Sequence, residues 1–197
     1  RVLVPAHARL HQVRDFVAAR LAWVERTRRA VTVTVRPLHD GAALPFLGET
    51  LVLRHGAAGK AHAERRGHNL WVHARDTATV RQRIERWYRR QAQTRVAARL
   101  AHFAPRVGRA PARLSIRGQK TRWGSCSRRG TISLNACLVF QSPEVLRYLL
   151  VHELAHTRHM DHSQRFWALV AALEPDWRAL DRELGRGWHH VPAWVLR

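Results

Sequence analysis

Lysine is nearly missing from this basic chain: only Lys60 and Lys120 stand among its 35 basic residues, and the rest are arginine. Acidic residues are few as well, 14 in 197, so the formal charge is +21 and the isoelectric point lies near 11.9. The arginine skew, with abundant alanine, fits a base-composition bias in the encoding genome. The field it creates is physical all the same, and it attracts polyanions or acidic substrates. Cysteine is scarce too: Cys126 and Cys137 form neither a CxxC pair nor a disulfide framework, which fits two free thiols in a reducing, cytoplasmic setting. No apolar run approaches the roughly 20 residues of a membrane span, so no membrane partner is expected. The stretch from Arg1 to Ala8 lacks an apolar block and carries Pro5 and His7, so no signal peptide is expected there. Because the chain begins with Arg rather than Met, targeting by a preceding segment stays open. What remains is a globular composition, 46% apolar with eight Trp, in a length that suits one sizeable core or a core domain with a smaller appendage.

Histidine is the residue in excess, with 14 copies, and Val151-His152-Glu153-Leu154-Ala155-His156 contains the pattern His-Glu-x-x-His. With 14 His and eight Glu in 197 residues, chance produces that pattern in about 4% of such chains, and a third histidine at a set position lowers this by a further factor of about 14. On a helix at about 100° per residue, His152 and His156 lie within roughly 40° of each other, so both imidazoles can hold one Zn²⁺. The adjacent Glu153 is then placed as general base for the attacking water rather than as a ligand. The surrounding Val145, Leu146, Tyr148, Leu149, Leu150, Val151, Leu154 and Ala155 cover nearly every face, which marks a buried helix. Two histidines and a glutamate in such a helix are costly unless paired or bound to metal; a hydrogen-bonded core histidine pair is the plainer alternative.

The ends of this helix can also be read. Ser142-Pro143-Glu144 supplies a capping serine, proline at the first helical position and a carboxylate near the positive end of the dipole. Carrying the helix on from His156 to His162 rotates the side chain by about 600°, about 240° net, away from the metal, so the chain must turn. Asp161 or Ser163 then caps a following helix with Phe166, Trp167, Leu169, Val170 and Leu173 that stops before Pro175. His162 at that junction is the expected third ligand, with His159 its competitor.

Upstream, Arg1 to Val4 reads as a short strand and Leu10 to Arg28 as an amphipathic helix with Val13, Phe16, Val17, Leu21 and Val24 on one face and Trp23 packed beside them. The alternating Val31, Val33 and Val35, then Leu51 to Leu53 and Asn69 to Val72, read as strands of a small, mostly antiparallel sheet with glycine turns. Its His39, His55, His62, His68 and His73 read as turn or strand residues rather than ligands. Asp76 or Thr77 caps a long helix to about Phe103, ended by Pro105 and Gly108, with one arginine-rich face. Leu114 to Gly118 and Thr131 to Asn135 are further strands.

The run Thr121-Arg122-Trp123-Gly124-Ser125-Cys126-Ser127, then Ile132-Ser133-Leu134-Asn135, Tyr148, the His152 to His156 motif and His162-Ser163 leading to Phe166-Trp167 closely resemble the YgjP-like metallopeptidases, relatives of the SprT and WLM-type zinc proteases. The resemblance extends over nearly the whole chain, including Phe46 to Leu53. It implies an α+β, zincin-like metalloprotease fold with a small N-terminal antiparallel β subdomain, zinc on His152, His156 and His162, and Glu153 as catalytic base. The metzincins share the six-residue gap to the third histidine, but they place glycine where this chain has His159. In zincins generally a strand at the cleft edge pairs with an extended peptide; Ile132 to Asn135 or Arg122 to Ser127 is the candidate here, and Trp123 and Cys126 also suit plain core packing.

The expectation is therefore a zinc metallopeptidase with one Zn²⁺ acting on a polypeptide, built as an N-terminal helix and β-rich subdomain over residues 1–75 and a catalytic domain over 76–197. Tyr148 and Arg122 are candidate oxyanion stabilisers. Asn135, Asp161 and Glu174 are candidate hydrogen-bond partners for the ligand rings. The rival expectation is a basic protein associated non-specifically with nucleic acid, with a structural zinc site or as a protease recruited to DNA. A structural site normally fills four positions, often with thiolates, and neither cysteine is spaced for that.

Overall fold

The computed structural model describes residues 8–22, 25, 38–56, 61–119 and 121–195. The chain divides into two compact units, Arg1–Val35 and Arg36–Arg197. In the first, α1 spans Leu10–Ala18 and closes at Ala19. The expected strands at Arg1 to Val4 and Val31 to Val35 lie outside the described residues, as do Trp23 and Val24 of the expected longer helix. The expected boundary at 75/76 falls inside the second unit, whose strands and helices share one core cluster.

That unit begins with four strands, β1 (Ala43–Phe46), β2 (Glu49–Gly56), β3 (His62–Arg66) and β4 (Asn69–His73), in the order β1-β2-β4-β3. Period-two alternation sends Leu44, Phe46, Leu51, Leu53, Leu70 and Val72 into the core. The outer pairings are antiparallel, as expected, whereas β2 and β4 run parallel because β4 inserts between β2 and β3. Leu47 and Gly48 close the β1–β2 hairpin with φ of 49° and 82°, both left-handed as a tight primed turn requires. A Cβ on Gly48 would lie 2.8 Å from Pro143 Cδ, and the Leu47 N–H donates to the Val139 carbonyl at 2.7 Å. The hairpin thus abuts the segment that starts the histidine-bearing helix.

Asp76 caps α2 (Thr77–Gln91), its carboxylate accepting the Thr79 N–H at 2.8 Å. The helix then widens into a π turn over Ala92–Val96 and resumes as α3 (Ala97–Val107). At the wide turn the Thr94 hydroxyl donates to the Arg90 carbonyl at 3.0 Å, a back-bond that competes with the backbone ladder. Pro105 lies inside α3 rather than ending it. Its missing N–H leaves only the carbonyl of exposed Ala101 to be hydrated, and Gly108, at φ 82°, is the actual stop.

A second sheet follows, β5 (Arg113–Arg117), β6 (Gly124–Cys126) and β7 (Thr131–Asn135), in the order β5-β7-β6. Strand β7 is central, parallel to β5 and antiparallel to β6. Next comes α4 (Pro143–Ala155), started as the sequence indicates: Ser142 Oγ accepts the Val145 N–H at 3.3 Å, and Pro143 takes the first turn. It is buried on nearly every face and packs against α3, β6, α5 (Gln164–Leu173) and α6 (Trp177–Arg186). Burying each of its large apolar side chains contributes about 1.5–3 kcal/mol, so the helix that carries the histidines is firmly held in the core. No described helix is long and apolar enough to cross a membrane.

Candidate metal centre

One turn of α4 separates His152 from His156, and the chain turns back after Thr157 so that His162, just before the Ser163 N-cap of α5, faces both. One donor atom from each of the three lies within 4.8 Å of the others. His159 is outside this group; its part is its backbone carbonyl, which accepts from His156 Nδ1 at 3.0 Å. The helix therefore supplies two imidazoles and the turn supplies the third, with His162 exposed and His156 buried.

Hydrogen bonding fixes which ring nitrogens converge. The Tyr148 hydroxyl donates to Asp181 Oδ1 at 2.8 Å, so towards His152 Nδ1, 3.3 Å away, its oxygen acts as acceptor. With the Nδ1–H groups of His152 and His156 spent on Tyr148 and on the His159 carbonyl, both Nε2 atoms keep their lone pairs. His152 Nε2 and His162 Nε2 stand 3.3 Å apart. Two imidazole nitrogens at Zn–N bonds of about 2.0–2.1 Å and tetrahedral angles stand about 3.3–3.4 Å apart, so this pair spans one edge of a tetrahedral site, with the His156 donor within 4.8 Å of both. Burial, reinforced by His156 and His162, pushes the His152 pKa down to about 3, and burial also lowers that of His156. Both rings are therefore neutral near pH 7, the form that binds a metal.

Aromatic side chains of α5 hold the rings in place. Phe166, fully buried, lies against His156 at 4.5 Å and edge-on to His152 at 5.0 Å, and Trp167 stacks on His162 at 5.5 Å. Trp177 of α6 in turn stacks on Trp167 at 4.0 Å.

Glu153 is 4% exposed, and its Oε2 is a buried acceptor without a hydrogen-bond partner. Burial pushes its pKa up to about 8. Across from it runs β6: a Cβ on Gly124 would meet the Glu153 side chain at 2.8 Å from Cδ and 2.9 Å from Cγ. Only glycine lets the strand pass this close, so Gly124 belongs to the site although the sequence reading gave it no role. The signal was there, in a glycine between Trp123 and Ser125 where a strand was otherwise expected. Trp123 packs as expected, 9% exposed and stacked on Trp188 at 4.2 Å.

The remaining candidates lie elsewhere. Glu174, 2% exposed, is held by Arg147 through two bonds of 2.6 and 2.9 Å that tie α4 to α5, not to a ligand ring. Asn135 spends its amide on the Gln119 and Arg122 carbonyls and its oxygen on the Cys137 N–H, bracing the loop before β6. Asp161 bonds Ser163, which lowers its pKa, and it acts on His156 only through its charge. Arg122 is exposed, and only its backbone carbonyl is engaged, by Asn135. Tyr148 is fully buried behind His152 rather than in front of the histidine cluster. Asp181 of α6, its partner, was not foreseen because nothing in the local sequence announces a contact 33 residues away.

No curated protein sequence matches the chain. Among solved structures, a crystal structure of the metallopeptidase zymogen of Pyrococcus abyssi, abylysin, is 28% identical over 46% of this chain and 93% of that one, with a TM-score of 0.42. The family model described as the YgjP-like metallopeptidase domain matches residues 1–186, and on that match the chain belongs to the YgjP-like metallopeptidase family.

Proposed function

We propose that this metallopeptidase is a zinc enzyme that cleaves polypeptides, with one Zn²⁺ on His152, His156 and His162 and with Glu153 as general base. The observation that carries the reading is the convergence of three imidazoles, two of them with nitrogens spaced as a tetrahedral edge, beside a buried carboxylate with one oxygen unpartnered. Zinc, when bound, supplies a Lewis acid that activates water and polarises a carbonyl. Glu153 takes the proton of the attacking water and delivers it to the leaving amide nitrogen. Its burial raises its affinity for that proton, and a cation on the three histidines would favour the carboxylate form in which Glu153 acts as base. Tyr148 and Asp181 serve by holding His152 in one tautomer and orientation, and Arg122 is the remaining side chain proposed to steady the oxyanion.

Strand β6 is the proposed docking edge. Both sides of β7 are taken by β5 and β6, which leaves Gly124–Cys126 as the strand beside Glu153 with a free side among the described residues. An extended polypeptide pairs there through its backbone. A peptide-library digest tests the function: cleavage should stop with a chelator and return with Zn²⁺, and cleavage that survives complete metal removal contradicts it.

The charge of +21 supports a second, accessory reading. Arg86, Arg89, Arg90 and Arg95 stay exposed on α2 and the wide turn after it, and a generic basic field binds nucleic acid without sequence preference and with steep salt dependence. Fluorescence anisotropy at several salt concentrations tests it, and no binding at low salt removes it.

A further inference from the structure

The outer face of the four-stranded sheet carries a second group of metal-type donors that peptide hydrolysis does not use. His62 on β3 and His73 on β4 are directly opposite in the antiparallel register, so both side chains leave the sheet on the same side. Glu64, two residues after His62, leaves on that side too. The parity is fixed by the core: Val72, between Trp71 and His73, is fully buried, so His73 must point outward. The two imidazoles lie 4.6 Å apart and within 11° of parallel. Glu64 Oε1 is 3.5 Å from His62 Nε2, and one donor atom from each of the three residues lies within 4.8 Å of the others. On the far side of β4, the register partner of His73 is Gly56, where a Cβ would make ordinary van der Waals contact with the His73 ring.

We propose that His62, Glu64 and His73 form a second, peripheral site for a divalent transition metal. Two imidazoles and one carboxylate suit Zn²⁺, Ni²⁺ or Cu²⁺ with water completing the sphere, and they suit Mg²⁺ or Ca²⁺ poorly, since those demand oxygen donors. His62 opens β3 and His73 closes β4, so the metal staples the open end of that hairpin, opposite its turn, and stabilises the folded sheet by binding it alone. Two features keep this site weaker than the three-histidine centre. Arg66 holds Glu64 Oε1 and must release it, although with its side chain 65% exposed that ion pair is screened and worth little. The net positive charge of the chain also opposes cations everywhere on its surface.

The test uses the whole chain, stripped of metal and equilibrated near neutral pH by dialysis against Zn²⁺ or Ni²⁺. Wild type should take up two equivalents per chain, one tightly and one loosely, and His62→Ala/His73→Ala should lose the loose one alone. The metal-free variant should still unfold in one cooperative transition, because neither side chain is in the core, and unlike the wild type its midpoint should not rise when the loose equivalent of metal is added. A second readout compares wild type with the double variant: with the tight site filled by zinc, one equivalent of added Cu²⁺ should give an electron paramagnetic resonance spectrum whose imidazole-nitrogen coupling is present in wild type and lost from the variant. Equal metal uptake by wild type and the double variant, or a copper spectrum whose nitrogen coupling is the same in both, overturns the assignment.

Discussion

Adding one methyl group at Gly124 should disable the enzyme while sparing its metal. In Gly124→Ala the new Cβ would stand 2.8 Å from Glu153 Cδ and 2.9 Å from Cγ. Carbon atoms settle at about 3.5 Å or more, so one side must yield by about 0.6–0.7 Å. Swinging the carboxylate aside does not suffice, because Cγ is one of the atoms struck. Either β6 lifts or Glu153 changes rotamer, and in both cases the base leaves its place against the strand. A displacement near 1 Å costs about 10²-fold in rate, which corresponds to about 2.7 kcal/mol of transition-state stabilisation. Overpacking also lowers stability by about 1–3 kcal/mol. Metal content should not change, since the three heavy atoms nearest the added Cβ all belong to Glu153. The measurements are kcat/KM on a peptide chosen from the library digest, zinc per chain, and the unfolding midpoint in urea. Combining Gly124→Ala with Glu153→Asp, which withdraws the carboxylate by one methylene, should recover part of the lost stability, a coupling expected only of groups in contact. Activity within about threefold of wild type in Gly124→Ala refutes the argument, because a misplaced base cannot support that rate.

Three further outcomes follow from contacts around the histidines. His162→Ala should weaken zinc retention far more than His159→Ala, since His159 contributes its backbone carbonyl, which alanine keeps; equal losses of metal would mean the third ligand is misassigned. Tyr148→Phe removes the acceptor behind His152 and should weaken zinc binding by about 10–100-fold in a chelator competition, whereas Asp181→Ala should cost less, because Asp181 is exposed and water can take its place; unchanged affinity in Tyr148→Phe would remove it from the site. Arg147→Ala, which strands a carboxylate only 2% exposed, should destabilise by about 3–5 kcal/mol. Glu174→Ala leaves a guanidinium 46% in water and should cost clearly less in urea denaturation; the reverse order would contradict the burial argument.

The centre was legible wherever its geometry is local. Helical rotation alone joins His152 to His156, the cap at Ser142-Pro143 starts the helix independently, and the rotation that carries position 162 off the helix face demands the turn that brings His162 back. What lies across the chain was not legible in the same way. Asp181 reaches Tyr148 from α6, and Gly124 reaches Glu153 from β6; each is fixed by packing between elements whose relative placement no local pattern encodes. Conversely, Glu174 and Asn135 carry the right chemistry for ring partners, yet the fold spends them on Arg147 and on the loop before β6. The parallel β2–β4 pairing escaped for a related reason, since a period-two pattern marks the faces of a strand and says nothing about which neighbour it takes. Pro105 reads as a helix stop but sits within the last turn of α3, where only one carbonyl loses its partner.

The claim that Glu153 is the base on a three-histidine zinc centre is tested most directly by measuring bound zinc and peptide hydrolysis together in wild type and Glu153→Gln. The amide keeps the size of the carboxylate and none of its basicity, so the variant should hold close to one tightly bound zinc per chain while losing activity by several orders of magnitude. Hydrolysis near the wild-type rate with zinc in place, or the loss of that tightly bound zinc from the variant, would contradict the account.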